Sequence, residues 1–160
     1  MQQNHLTSGD VCEIAGIQQN TLDYWVNREV IQPVNNAMNG TGRHRTFSTM
    51  QAVAVAYGNA WRREGCSLAM IKPIVQFVAN MSEAELEKEL AAGRTVMMPL
   101  SNKAKLTFGL VDVAPMLGPE ATRDQRLTLS NLDLDRCYAQ VKRHIKKLGE
   151  RPANVMGRNR

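Results

Sequence analysis

Two short amphipathic segments separated by one glycine constrain the start of this chain more than any other feature. Thr7-Ser8-Gly9-Asp10 has the form of a capping box, in which the Thr hydroxyl takes an orphan amide and the acid reaches back to the cap. It predicts a helix through Val11, Ile14 and Ala15 that stops at Gly16, whose tolerance of positive φ suits a tight turn. After Gly16-Ile17-Gln18 a second helix is expected from about Gln19 to Arg28, with Leu22, Trp25 and Val26 facing inward at helical spacing. Its other side carries Gln19, Asn20, Asp23, Tyr24 and Asn27. Two short helices at this separation, the second with polar amides near its N-terminus, describe a helix-turn-helix.

Turn formers then dominate from Asn35 to Gly42, and Arg43-His44-Arg45-Thr46-Phe47 follows, which predicts a hairpin wing with a basic edge. Ser48-Thr49-Met50-Gln51 is a second capping box, opening a helix with Met50, Val53, Ala54, Tyr57 and Trp61 as its apolar stripe. Ser67 caps a further helix through Phe77 and Met81, in which Pro73 either introduces a kink or marks the first turns. Ser82-Glu83-Ala84-Glu85 restarts helix and Gly93 closes it.

From Arg94 to Ser130 the β-favouring runs Thr95–Leu100, Leu106–Val113 and Leu127–Leu129 predict a small antiparallel sheet. Ser130-Asn131-Leu132-Asp133 is read as the cap of a last helix, whose seam of Leu134, Tyr138, Val141, Ile145 and Leu148 is expected to pack a dimer partner in preference to this chain's own core. Arg136, Lys142, Arg143, Lys146 and Lys147 fall on the opposite face, either merely solvated or in contact with DNA. The expected organisation is mainly α with small β. A winged helix-turn-helix domain covers 1–80, a connecting helix 81–93, a small α+β oligomerisation or effector module 94–150, and a disordered basic tail 151–160.

Charge narrows the partner. The chain of 160 residues carries a formal +5, and from Arg136 to Arg160 eight Lys or Arg stand against one acid, Glu150. Clustered cations gain affinity for phosphates by releasing counterions, so a polyanion is the expected ligand. No run approaches the ~20 apolar residues of a membrane span, and the N-terminus lacks the pattern of a signal peptide, so a cytoplasmic, nucleoid-associated location is expected. Cys12, Cys66 and Cys137 stand far apart in no ligand spacing, and are read as reduced and mostly buried, with no metal site. No phosphate-binding glycine loop, HExxH or GxSxG is present, so no enzymatic activity and no cofactor is expected.

Across Leu6 to Val75 the chain resembles the MerR family of bacterial and phage regulators. Thr7-Ser8-Gly9-Asp10-Val11 stands where that family starts its first helix, and Ala15-Gly16-Ile17 where it turns. Thr21-Leu22-Asp23-Tyr24-Trp25 falls on its recognition helix, which ends in an aromatic pair, and Ile31-Gln32-Pro33 follows at the family's distance. Gly42 to Ser48 resembles the wing, and Glu64-Gly65-Cys66-Ser67-Leu68 the turn before the next helix. There are departures. Asp23 stands where the family usually has a DNA-contacting Arg, Val26 replaces a Glu, and Glu29 occupies a position normally glycine. The family's long dimerising helix is cut short at Gly93, and the cysteine cluster of its metal-sensing members is missing.

The resemblance implies that the second helix enters the major groove, where Gln18, Gln19 and Asn20 offer amides suited to the N6 and N7 edge of adenine and Thr21 contacts either a phosphate or a thymine methyl. Tyr24 is a candidate phosphate donor, while Asp23 either accepts from a cytosine amine or orients an Arg such as Arg28. Arg43, His44 and Arg45 on the wing would meet the flanking backbone or minor groove. The expected function is sequence-specific binding of double-stranded DNA and transcriptional regulation as a homodimer, with promoter distortion and RNA polymerase as a further partner. The alternative is an architectural or recombination-directing DNA binder of the phage excisionase kind.

Overall fold

Local side-chain chemistry sets most helix boundaries in the computed structural model, which describes residues 5–39, 42–102, 105–112 and 118–150. A two-residue strand β1 (Leu6–Thr7) leads into α1 (Ser8–Ala15). The Thr7 hydroxyl accepts from the Asp10 amide at 3.2 Å and the Asp10 carboxylate accepts from the Thr7 amide at 2.9 Å, as the capping box requires. Gly16 ends the helix at φ 63°, ψ 38°. Helix α2 follows at Gln19–Asn27, and Leu22 and Trp25 are its buried anchors.

Strands β2 (Asn35–Asn39) and β3 (Gly42–Phe47) form the expected hairpin, and β1 pairs with the other edge of β3 to give the order β1-β3-β2. Leu6 opposes Phe47 and Thr7 opposes Thr46, so the strand that starts α1 is stitched to the base of the wing. Helix α3 (Thr49–Arg63), opened by the Ser48–Gln51 box, is the spine of the molecule; every residue from Ala52 to Asn59 is buried. Helix α4 (Leu68–Asn80) packs on it through Ile71, Ile74, Val75 and Val78, with Pro73 inside the helix and not at its start.

Trp25 meets α3 where Gly58 opens room for it. A Cβ at Gly58 would stand 2.4 Å from a Val75 methyl and 3.1 Å from the Trp25 ring, so a hydrogen there lets α2, α3 and α4 converge. Asn59, next in the chain, donates to the Ala15 carbonyl at 2.9 Å and so satisfies a buried end of α1. The core therefore fixes both helices of the helix-turn-helix against one surface.

Helix α5 (Glu83–Ala91) starts at a Ser82–Glu85 box, and the hairpin of β4 (Arg94–Asn102) and β5 (Lys105–Asp112) follows. Its base is tied to the spine, because the buried Tyr57 hydroxyl accepts from the Met97 amide at 3.0 Å. The third predicted strand is absent: Leu127–Leu129 lies in α6 (Arg123–Asn131), opened by a Thr122–Gln125 capping box that outweighs the β preference of Leu-Thr-Leu. Ser130 is correspondingly inside α6, and the cap of α7 (Leu134–Gly149) is Asp133.

The seam of α7 also departs from expectation. Leu134, Tyr138 and Val141 are buried within this chain, with Ile145 and Leu148 half-buried beside them, and α7 lies against α1, α3 and β4. The stripe read as a dimer contact is covered because the face of α3 turned away from α4 needs a partner, and α7 supplies it. Its flanks are pinned as well: Gln140 donates to the Ile14 carbonyl at 2.7 Å, and the Tyr138 hydroxyl donates to Glu87 at 2.7 Å. One hydrophobic cluster runs from Leu6 to Val141, crossing residue 80 without a break. The basic tail after Glu150 lies outside the described residues.

All three cysteines are free; Cys137 is buried, while Cys12 and Cys66 are only partly so. Among the described residues no helix is long and apolar enough to cross a membrane.

Two measurements check this packing. Gly58→Val should cost about 1–3 kcal/mol by overpacking; a thermal midpoint equal to that of the parent protein counts against the close approach. Burial, reinforced by the Asp133 carboxylate, pushes the Cys137 thiol up to about 11. It should therefore stay protonated and resist alkylation at pH 8 until denaturant is added; labelling at the unfolded rate in native buffer contradicts the burial.

Candidate nucleic-acid interface

Anchoring Leu22 and Trp25 inward turns a polar face of α2 outward. Gln18, Gln19, Asn20, Asn27 and Arg28 are exposed, Tyr24 is 46% exposed, and Thr21 and Asp23 are partly covered. Gln18 is the N-cap and makes no side-chain cap bond, so no side chain fills the positive end of this helix. The Arg28 guanidinium lies over the Tyr24 ring at 5.4 Å, so these two side chains form one stacked unit at the far end of the face.

Asp23 orients an arginine, as one of the two alternatives had it, but a different one from the residue named. Its carboxylate pairs with Arg45 of β3, not with Arg28. Arg45 is 5% exposed, so the residue expected on an exposed wing edge is enclosed against α2. The physical reason is strand alternation: Arg45 lies two residues before the buried Phe47, on the face turned toward the helices, and at that depth only a carboxylate offsets the cost of burying its charge. Gln19 Nε2 donates to the same Asp23 oxygen at 3.2 Å, and the Cys12 thiol donates to Gln19 Oε1 at 3.7 Å. Burial and the nearby Asp23 charge both raise the Cys12 pKa, which keeps that thiol a donor. Ser8, Gln19, Asp23, Asn27 and Arg45 line a polar groove of about 340 Å³ between α1, α2 and the sheet.

The backbone of Arg43 and His44 sits on the hairpin opposite Met38 and Ala37. Their side chains fall outside the described ones.

At the C-terminal end of α2 the chain turns through Glu29 at φ 56°, the one non-glycine residue at positive φ among those described. That matches a site where the family resemblance expects glycine, and the strain is held by two donors from α4. Lys72 Nζ reaches the Arg28 carbonyl at 3.1 Å and Gln76 Nε2 the Glu29 carbonyl at 2.9 Å. Sequence reasoning missed this clamp: its halves lie 44 and 47 residues apart and carry no local motif.

On α7 the cations Arg136, Arg143 and Lys147 are exposed. Lys142 pairs with Glu83 at 3.0 Å, while His144 lies 3.8 Å from both Asp10 and Glu13 of α1. Among the described residues no group of three or more His, Cys, Asp or Glu is gathered to hold a metal ion.

The arrangement is that of a rigid helix offering amides and an aromatic–guanidinium stack, with a hairpin at its flank. A comparison with curated proteins finds no match to this chain. The family model described as MerR HTH family regulatory protein matches residues 6–77, which run from β1 into α4. Over residues 6–77 this chain is therefore similar to the helix-turn-helix domain of the MerR family of regulators.

Proposed function

We propose that this protein binds specific sites on double-stranded DNA as a homodimer and regulates transcription there. The observation that carries this is the outward polar face of α2, held rigid from behind and bordered by a hairpin. Nine helical residues span about 14 Å, which suits a major groove about 12 Å wide. Gln18, Gln19, Asn20 and Thr21 stand at the end of the helix that enters first, and side-chain amides are suited to the N6 and N7 edge of adenine. Tyr24 and Arg28 meet phosphate at the other end, while Arg43 and His44 on the hairpin meet the flanking backbone.

Pairing of two copies follows from the size of the reader. One short helix reads too few base pairs to find a unique site, and a two-fold dimer doubles the contact on a symmetric one. The α7 seam is engaged inside the chain, so the dimer surface lies elsewhere. Bending or untwisting of promoter DNA would convert binding into regulation by changing how RNA polymerase meets its contacts.

Selection of bound duplexes from a random pool, followed by footprinting, tests this directly. A two-fold site is expected; equal retention of every sequence at low salt contradicts it. On the selected duplex, Asn20→Ala should cost about 1–3 kcal/mol and relax the preference at one position in each half-site. Arg43→Ala should instead weaken binding to all sequences alike and lower the salt slope by about one for each copy bound. An unchanged slope removes Arg43 from the contact set.

A further inference from the structure

We infer that Asp23 and Arg45 form a positioning clamp that locks the wing to the recognition helix and aims Gln19, and that neither charged group contacts DNA itself. This assignment rests on the DNA-binding reading above and names the residue that determines specificity within it.

Three observations carry it. The Arg45 side chain is 4% exposed and its partner Asp23 43% exposed, so the guanidinium is enclosed between strand and helix while the carboxylate bridges outward to Gln19. A guanidinium so enclosed cannot reach a phosphate without abandoning its carboxylate, and leaving that charge unpaired is costly. Asp23, for its part, would repel the duplex if it were free, and pairing with Arg45 cancels that charge. The base of the wing is joined to the helical core through the pairing of β1 with β3, the contact of β3 with α1 and the buried Phe47. The Asp23–Arg45 tie adds a direct link from the hairpin to α2 that sets their angle before DNA arrives. Fixing that angle in advance reduces the ordering cost of binding.

The chain of contacts ends on an exposed reader. Gln19 donates one amide hydrogen to Asp23 and accepts from Cys12 at its oxygen, which sets the plane of the amide. One N–H and one carbonyl lone pair remain, the pair that the N7 acceptor and N6 donor of adenine require. Gln19 is thus the member of the network that faces the bases, while Asp23 and Arg45 act through it and through the hairpin.

The test measures binding of the full-length protein to its selected duplex across a salt series. Arg45→Ala and Asp23→Asn should each weaken binding about tenfold or more with the salt slope unchanged, as expected for a lost orientation and not a lost phosphate contact. The exchange Asp23→Arg with Arg45→Asp should recover most of the affinity, which neither single change does. Thermal unfolding of each variant shows whether it is folded; for a single change that does not fold, recovery by the exchange still supports the clamp and its absence overturns it. If Arg45→Ala lowers the slope by about one per copy, or Asp23→Asn tightens binding, the clamp is overturned while DNA binding stands. If the unmodified protein prefers no duplex, both fall together.

Discussion

Everything that faces outward on the N-terminal half depends on how Trp25 is seated. Its ring is fully buried where α3 presents Gly58 and α4 presents Val75, so three helices meet at a point where one would-be methyl group is missing. Burying an aromatic of that size supplies a large share of the local driving force, and it fixes the rotation of α2 about its own axis. With Trp25 and Leu22 turned inward, helical geometry leaves Asn20, Tyr24 and Asn27 turned outward. The interface is a by-product of the packing.

The charges follow a related logic. An excess of cations predicts a polyanionic partner in general terms, but the structure divides them by role. Arg45 is consumed inside, Lys72 holds the strained turn at Glu29, Arg94 pairs with Glu89, and Lys142 pairs with Glu83. What is left outward on α7 is Arg136, Arg143 and Lys147, of which Arg136 lines a cleft with Glu13 and Gly16 at the end of α1. Net charge is a property of the whole chain, whereas recognition depends on the few groups whose charge is not already met.

Features encoded within four residues were legible from the sequence. The boxes at Thr7, Ser48 and Ser82 and the left-handed Gly16 all stand as read, because a cap needs only its own first turn. The hairpin wing and the polar side of α2 were legible for the same reason. Leu127–Leu129 was misread as strand, since short apolar alternation fits either structure and the Thr122 cap that decides it lies five residues earlier. The α7 stripe was recognised but given the wrong partner: periodicity shows that a face is buried and is silent on whether the cover comes from the same molecule. The Asp23–Arg45 pair and the clamp on Glu29 join residues 22 to 47 apart, and no local pattern announces them.

The seating of α7 has a consequence for how the molecule is made. Gln140 closes on Ile14 across 126 residues, and Val141 completes a core begun at Leu6. Closing so long a loop is slow relative to local helix formation. During synthesis the helix-turn-helix can take shape early, yet one side of its supporting helix stays bare until the last described helix has left the ribosome. Completion of the support behind α1 and α2 is thereby coupled to synthesis through α7, and a polypeptide released before that point would carry the helix-turn-helix on an unfinished base.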